Sequence, residues 1–68
     1  MHSDRMEGAW KEIKGKAKEQ WVKLTGDDLK QLEGKGDQLA GKLQQRYGLS
    51  KEEAEKQAKD FRSRNNWQ

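Results

Sequence analysis

The chain has 68 residues, 40% of them charged and 29% apolar, with a mean hydropathy of −1.48. That is room for one small domain with a thin core, and not for a catalytic domain joined to a separate binding domain. Fifteen basic and twelve acidic residues leave a net charge of only +3, so the strong imbalance that usually accompanies disorder is missing. With no cysteine there is no disulfide framework and no thiolate metal site, so packing alone must hold the fold. No apolar run exceeds two residues, which excludes a membrane-spanning helix and a signal-peptide core. The expectation is a folded cytoplasmic monomer spanning 1–68, ordered over about 5–62 with flexible ends.

Taken in chain order, the pattern predicts four helices and no strand. Met6, Trp10, Ile13, Ala17, Trp21 and Leu24 recur in steps of three and four, giving a one-sided helix over 5–24 with Ser3 as its N-cap. Asp4 and Glu7 complement its positive end. Thr25 or Asp27 caps a short second helix that turns Leu29 and Leu32 inward, and Gly34 and Gly36 bracket a reversal. A third helix over 36–47 aligns Leu39, Ala40, Leu43 and Tyr47, with Gly48 suited to a left-handed terminus. Ser50 to Glu53 reads as a capping box with Leu49 and Ala54 as its hydrophobic staple, opening a fourth helix whose inner face is Ala54, Ala58 and Phe61. Trp67 follows a patternless tail and is able to fold back as a lid.

The expected core is therefore Trp10, Ile13, Ala17, Trp21, Leu24, Leu29, Leu32, Leu39, Leu43, Tyr47, Ala54 and Phe61. Glu precedes Lys by four residues at Glu7/Lys11, Glu12/Lys16, Glu19/Lys23, Glu52/Lys56 and Glu55/Lys59, and each exposed pair adds roughly 0.2–0.5 kcal/mol. Gly15 and Gly41 oppose this on polar faces, each costing about 1 kcal/mol relative to Ala.

Little here carries chemistry. His2 stands alone near the N-terminus, without the companions a metal site needs, and Ser3, Ser50 and Ser63 have no histidine to activate them. Asp27-Asp28 and Glu52-Glu53 lie in first helical turns, where the helix dipole accounts for them. Acid-base catalysis would need a buried, shifted carboxyl group, and so thin a core is expected not to hide one. No catalytic residue, cofactor or metal is expected.

Two basic features remain. Lys11, Lys14 and Lys18 form a stripe, interrupted by Glu7, opposite the apolar face of the first helix, and a solvated face is the preferred reading of it. Leu29, Leu32, Gly34, Gly36, Ala40 and Leu43 are spaced as in the helix-hairpin-helix motif, whose Gly-x-Gly turn offers backbone N–H groups to a DNA phosphate. Lys35, however, stands where that motif has an apolar anchor, and Glu33 and Asp37 place negative charge beside the turn.

Read in order, Gly8-Ala-Trp10-Lys-Glu-Ile-Lys-Gly-Lys-Ala-Lys-Glu-Gln-Trp21, Lys23-Leu-Thr25, Asp27-Asp28-Leu29, Glu33-Gly-Lys35, Asp37-Gln-Leu39, Gly41-Lys42-Leu43 and Arg46-Tyr47-Gly48 resemble the CsbD-like family of small bacterial proteins, close to its YjbJ branch. The resemblance implies an all-α bundle of about four helices arranged as two crossed helical hairpins, similar to the SAM-domain-like fold, in proteins of the general stress response. It brings no activity, cofactor or catalytic residue. The leading expectation is a non-enzymatic stress protein acting by its hydrated surface, similar to hydrophilins. The alternatives are a nucleic-acid-binding module using Gly34, Lys35, Gly36 and the Lys11/Lys14/Lys18 stripe, and a protein–protein adaptor docking through an exposed Trp67.

Overall fold

The computed structural model describes residues 2–67, with side chains from residue 9 onward. Among these residues the chain forms four α-helices and no strand: α1 His2–Gln20, α2 Gly26–Leu32, α3 Leu39–Tyr47 and α4 Lys51–Arg64, with one 3-10 turn at Gly36–Gln38 leading into α3. The all-α bundle read from the sequence is what forms. The side chains of Asp4, Met6 and Glu7 lie outside the described set. The helical backbone runs through Ser3, which is therefore inside α1 instead of capping it.

The first helix ends at Gln20, four residues before the apolar periodicity does. The Trp21 N–H still donates to the Ala17 carbonyl (2.8 Å), and the Leu24 N–H then donates to the Trp21 carbonyl (3.0 Å). This tight turn brings Trp21 and Leu24, three residues apart, into the core together, just as a continuing helix would. Spacing alone does not separate the two conformations. Val22 and Lys23 form the tip of the turn, and Val22 is left 80% exposed.

Thr25 caps α2 with a full capping box: its hydroxyl accepts the Asp28 N–H, and an Asp28 carboxylate oxygen accepts the Thr25 N–H, each at 3.1 Å. The third helix starts later than its apolar pattern, because Gly36–Gln38 winds as a 3-10 turn before Leu39. Gly48 ends α3 in the left-handed region at φ 65°, as its position there predicts. Ser50 caps α4 by accepting the Glu53 N–H (3.1 Å), but the reciprocal half of that box does not form. Glu53 instead accepts a bond from Gln57 one turn on (3.0 Å).

Packing is most extensive between α3 and α4, where Leu39 and Leu43 meet the face of Ala54, Ala58 and Phe61. The first helix is fastened to this pair by aromatics. Trp21 packs edge-on against Phe61 with centroids 4.8 Å apart, and its indole N–H donates to Gln57 (3.2 Å). Ten of the twelve expected core residues are buried; Trp10 and Tyr47 are only half-buried. Their places at the rim have a physical reason, since each ring also faces a partner at the surface. Trp10 meets Trp67 (5.3 Å between centroids), and the Tyr47 hydroxyl accepts the Lys23 N–H (3.1 Å).

The tail folds back onto the bundle through these contacts. Asn66 takes a left-handed φ of 52°, the Trp67 N–H donates to the Arg62 carbonyl (2.9 Å), and Trp67 is buried between Trp10 and Phe61. Of the Glu/Lys pairs whose side chains are described, Glu12–Lys16 closes, at 3.4 Å. Glu19/Lys23 fails because Lys23 lies past the end of α1. Asp60–Arg64 supplies a further i,i+4 pair at 2.6 Å.

Replacing Leu43, fully buried between α3 and α4, with Ala should cost about 2–5 kcal/mol in urea denaturation. Gly41 is exposed in the interior of α3, and a Cβ there meets nothing within 4 Å. Gly41→Ala should therefore raise stability by about 1 kcal/mol in the same measurement.

Candidate functional site

The densest polar cluster joins α2 to α3. Asp28 occupies the third position of α2, on the side that also buries Leu29 and Leu32, and its side chain is only 2% exposed. Lys42 and Arg46 stand one turn apart on α3 and converge on it. Arg46 grips the carboxylate with two bonds, Nε to Oδ2 at 2.8 Å and Nη2 to Oδ1 at 2.9 Å, while the Lys42 ammonium lies 3.4 Å from Oδ1. With the Thr25 N–H also on Oδ2, the carboxylate is surrounded by donors.

The bidentate Arg46 guanidinium is the main reason that the Asp28 carboxyl is held well below the usual carboxylate range; burial opposes this, and the Thr25 N–H and Lys42 add to the lowering. Asp28 in turn raises the pKa of Arg46. The expectation that the core hides no carboxylate is thus corrected. It holds one, because the neighbouring helix carries its own neutralising charge. Chemically the group is an anchor: a carboxylate with a lowered pKa and occupied lone pairs is a poor proton acceptor.

The sequence contained a signal for this. Thr25-x-x-Asp28 has the spacing of a capping box, and α3 carries Lys42 and Arg46 one turn apart with no acidic residue of its own to pair them. Each of these signals is local to one helix, so neither alone points to the ion pair that joins them.

The two basic features are differently placed. In the glycine turn, the Lys35 N–H donates to the Leu32 carbonyl (2.9 Å), Gly34 adopts φ 74° and Gly36 is buried. Glu33 and Asp37 flank it, so the turn closes a helical hairpin and presents little of the donor cradle its spacing suggests. On α1, Lys11 and Lys18 are exposed and Lys14 is half-buried. Trp67 is buried, which removes it as the exposed docking aromatic of the adaptor reading. His2 lies outside the residues whose side chains are described.

A depression of about 510 Å³ opens between α1 and the end of α4, lined by Lys16, Glu19, Gln20, Phe61, Arg64 and Asn65. Both of its cations, Lys16 and Arg64, are paired within their own helices. Among the described residues no three His, Cys, Asp or Glu side chains are grouped to hold a metal ion, and no helix is long and apolar enough to cross a membrane.

These features define a small all-α bundle whose helices are tied by a buried ion pair and an aromatic seam. The chain belongs to the CsbD-like family, whose model matches residues 4–56, a family associated with the bacterial stress response. It is similar to UPF0337 protein YjbJ of Salmonella typhimurium, 55% identical over 67 residues that cover 98% of this chain and 96% of that protein. The YjbJ protein of Escherichia coli K12 is 54% identical over 67 residues, covering 98% and 97%. UPF0337 protein ECA0631 of Pectobacterium atrosepticum is 59% identical over 61 residues, covering 90% and 88%. No solved structure matches the chain.

The anchor makes stability depend on acid in a defined direction. Because the carboxyl is lowered on folding, the stability it contributes is fully present above the unfolded-state value of about 3.9 and drains away as pH falls toward the folded-state value. Thermal unfolding should vary little from pH 8 to pH 5 and drop below about pH 4. Asp28→Asn should lose about 1–3 kcal/mol at neutral pH and show a shallower acid limb.

Proposed function

We propose that the protein is a non-enzymatic stress protein of the cytoplasm, which limits the aggregation of its neighbours through a charged, water-holding surface. The observation that carries this reading is the contrast between surface and core. The large apolar side chains of the described residues are buried or half-buried except Val22, while 40% of the chain is charged. Such a surface remains hydrated at high concentration, because charged side chains dominate it and Val22 is the one large apolar side chain exposed among the described residues.

The anchoring role of Asp28 supports the non-enzymatic part. Its carboxylate already accepts bonds from Arg46 and Thr25. The family's association with stress supports the physiological part.

The test is protection at equal mass. A labile enzyme dried or heated with this protein should retain several-fold more activity than with the same mass of an inert globular protein, and the protein itself should return to solution. Equal losses in the two samples would remove the proposal.

A further inference from the structure

Aromatic rings hold α1 to the bundle in two places. Trp21, just past its end, packs on Phe61 beside the fully buried Ala17, and Trp10, nearer its start, packs on Trp67. Gly15 lies between the two, exposed in the helix interior, with nothing within 4 Å of the place a Cβ would take. Glycine there weakens the helix without allowing any closer contact. The Glu12–Lys16 pair that spans it is exposed on both sides and contributes little.

Trp67 is presented to α1 by a Schellman ending of α4. Its N–H donates to the Arg62 carbonyl (2.9 Å), Asn66 takes the left-handed position where glycine is usual (φ 52°), and its ring lies on Phe61 with centroids 6.1 Å apart. Arg62 Nε donates to the Trp67 carbonyl (3.2 Å) and the Asn65 amide to the Phe61 carbonyl (2.9 Å). These bonds all return to α4, so Trp67 meets α1 through its ring on Trp10. A depression of about 230 Å³, with Ala9, Glu12 and Ile13 on one wall and Arg64 and Asn66 on the other, leaves that meeting incompletely filled.

We propose that residues 65–67 are a strap holding down an arm of α1, the part before Gly15, and that this arm opens at Gly15 while α2, α3 and α4 stay folded. The described arm residues buried or half-buried are Trp10, Ile13 and Lys14, whereas the contact of α3 with α4 and the Asp28–Arg46 pair involve none of them. An arm this short is marginal as a free helix, so opening unwinds it and frees its amides. Opening also bares Ile13 and the Trp67 ring, and the strap thereby sets when this apolar surface meets water. The device works through ring contacts and not through the charged exterior, so it stands or falls apart from the protective reading.

The experiment is amide hydrogen exchange of the full chain by NMR, corrected for intrinsic rates, comparing Trp10–Lys14 with Leu43–Tyr47 of α3. In the parent chain the arm should open at least tenfold more often than α3. W67A should raise arm opening at least tenfold. N66A, which disturbs the strap at an exposed residue, should raise it at least threefold and decides the matter if W67A does not fold. G15A should lower it about fivefold. L43V should speed exchange in α3 at least threefold and leave the arm unchanged, because Leu43 stays buried when the arm opens. Equal opening of arm and α3 in the parent chain, an arm that L43V speeds as much as α3, or an arm indifferent to N66A or to G15A would each overturn the proposal.

Discussion

Apolar volume is the scarce resource in this chain, and the structure is organised around using it in one place. The buried apolar cluster of the described residues comprises twelve side chains, three of them alanines. A core of that size can join helices only where their backbones approach closely. Ala54 and Ala58 allow α4 to lie near Leu39 and Leu43 of α3, and this is the most extensive helix contact among the described residues. The longer reach needed to attach α1 is supplied by ring systems. Trp21 on Phe61 and Trp10 on Trp67 span a separation that aliphatic side chains of this number would leave partly empty.

The second helix has too few residues to be held by apolar contact alone. With Leu29 and Leu32 as its buried apolar residues, α2 relies on Asp28 for a third inward contact. A buried carboxylate ordinarily weakens a fold, because the cost of removing it from water can exceed the attraction of its partner. Here that cost is moderated by geometry. Arg46 remains 43% exposed at its side chain and so keeps much of its own hydration, while its fork supplies two of the hydrogen bonds that Asp28 gives up in water. The same carboxylate completes the cap of its own helix at Thr25. One side chain therefore fixes where α2 begins and where it sits on α3.

What was legible in the sequence follows from the range of the forces involved. The inward faces of all four helices, the Gly48 terminus and the Thr25 and Ser50 caps depend on residues within one or two turns, and periodicity exposes them. The end of α1 was misread because a tight turn at Trp21–Leu24 buries the same residues as a helix would. The Asp28–Arg46 pair spans eighteen residues and the Trp10–Trp67 contact spans nearly the whole chain, so neither leaves a local pattern. Trp67 looked like part of a featureless tail because the contacts that order it lie on α1 and α4.

The helices of this chain do not maximise their own stability. Gly15 and Gly41 occupy helix interiors in open space, where an added methyl group would touch nothing. Selection for a rigid fold would readily remove such weak points, since alanine at either site favours the helix by about 1 kcal/mol. Their presence shows that helix propensity is not maximised in this chain. On the proposed reading, in which the protein acts through its hydrated surface, the charged exterior is the working part. The ion pair between α2 and α3 and the aromatic seam at α1 are the means by which twelve apolar side chains keep it in place.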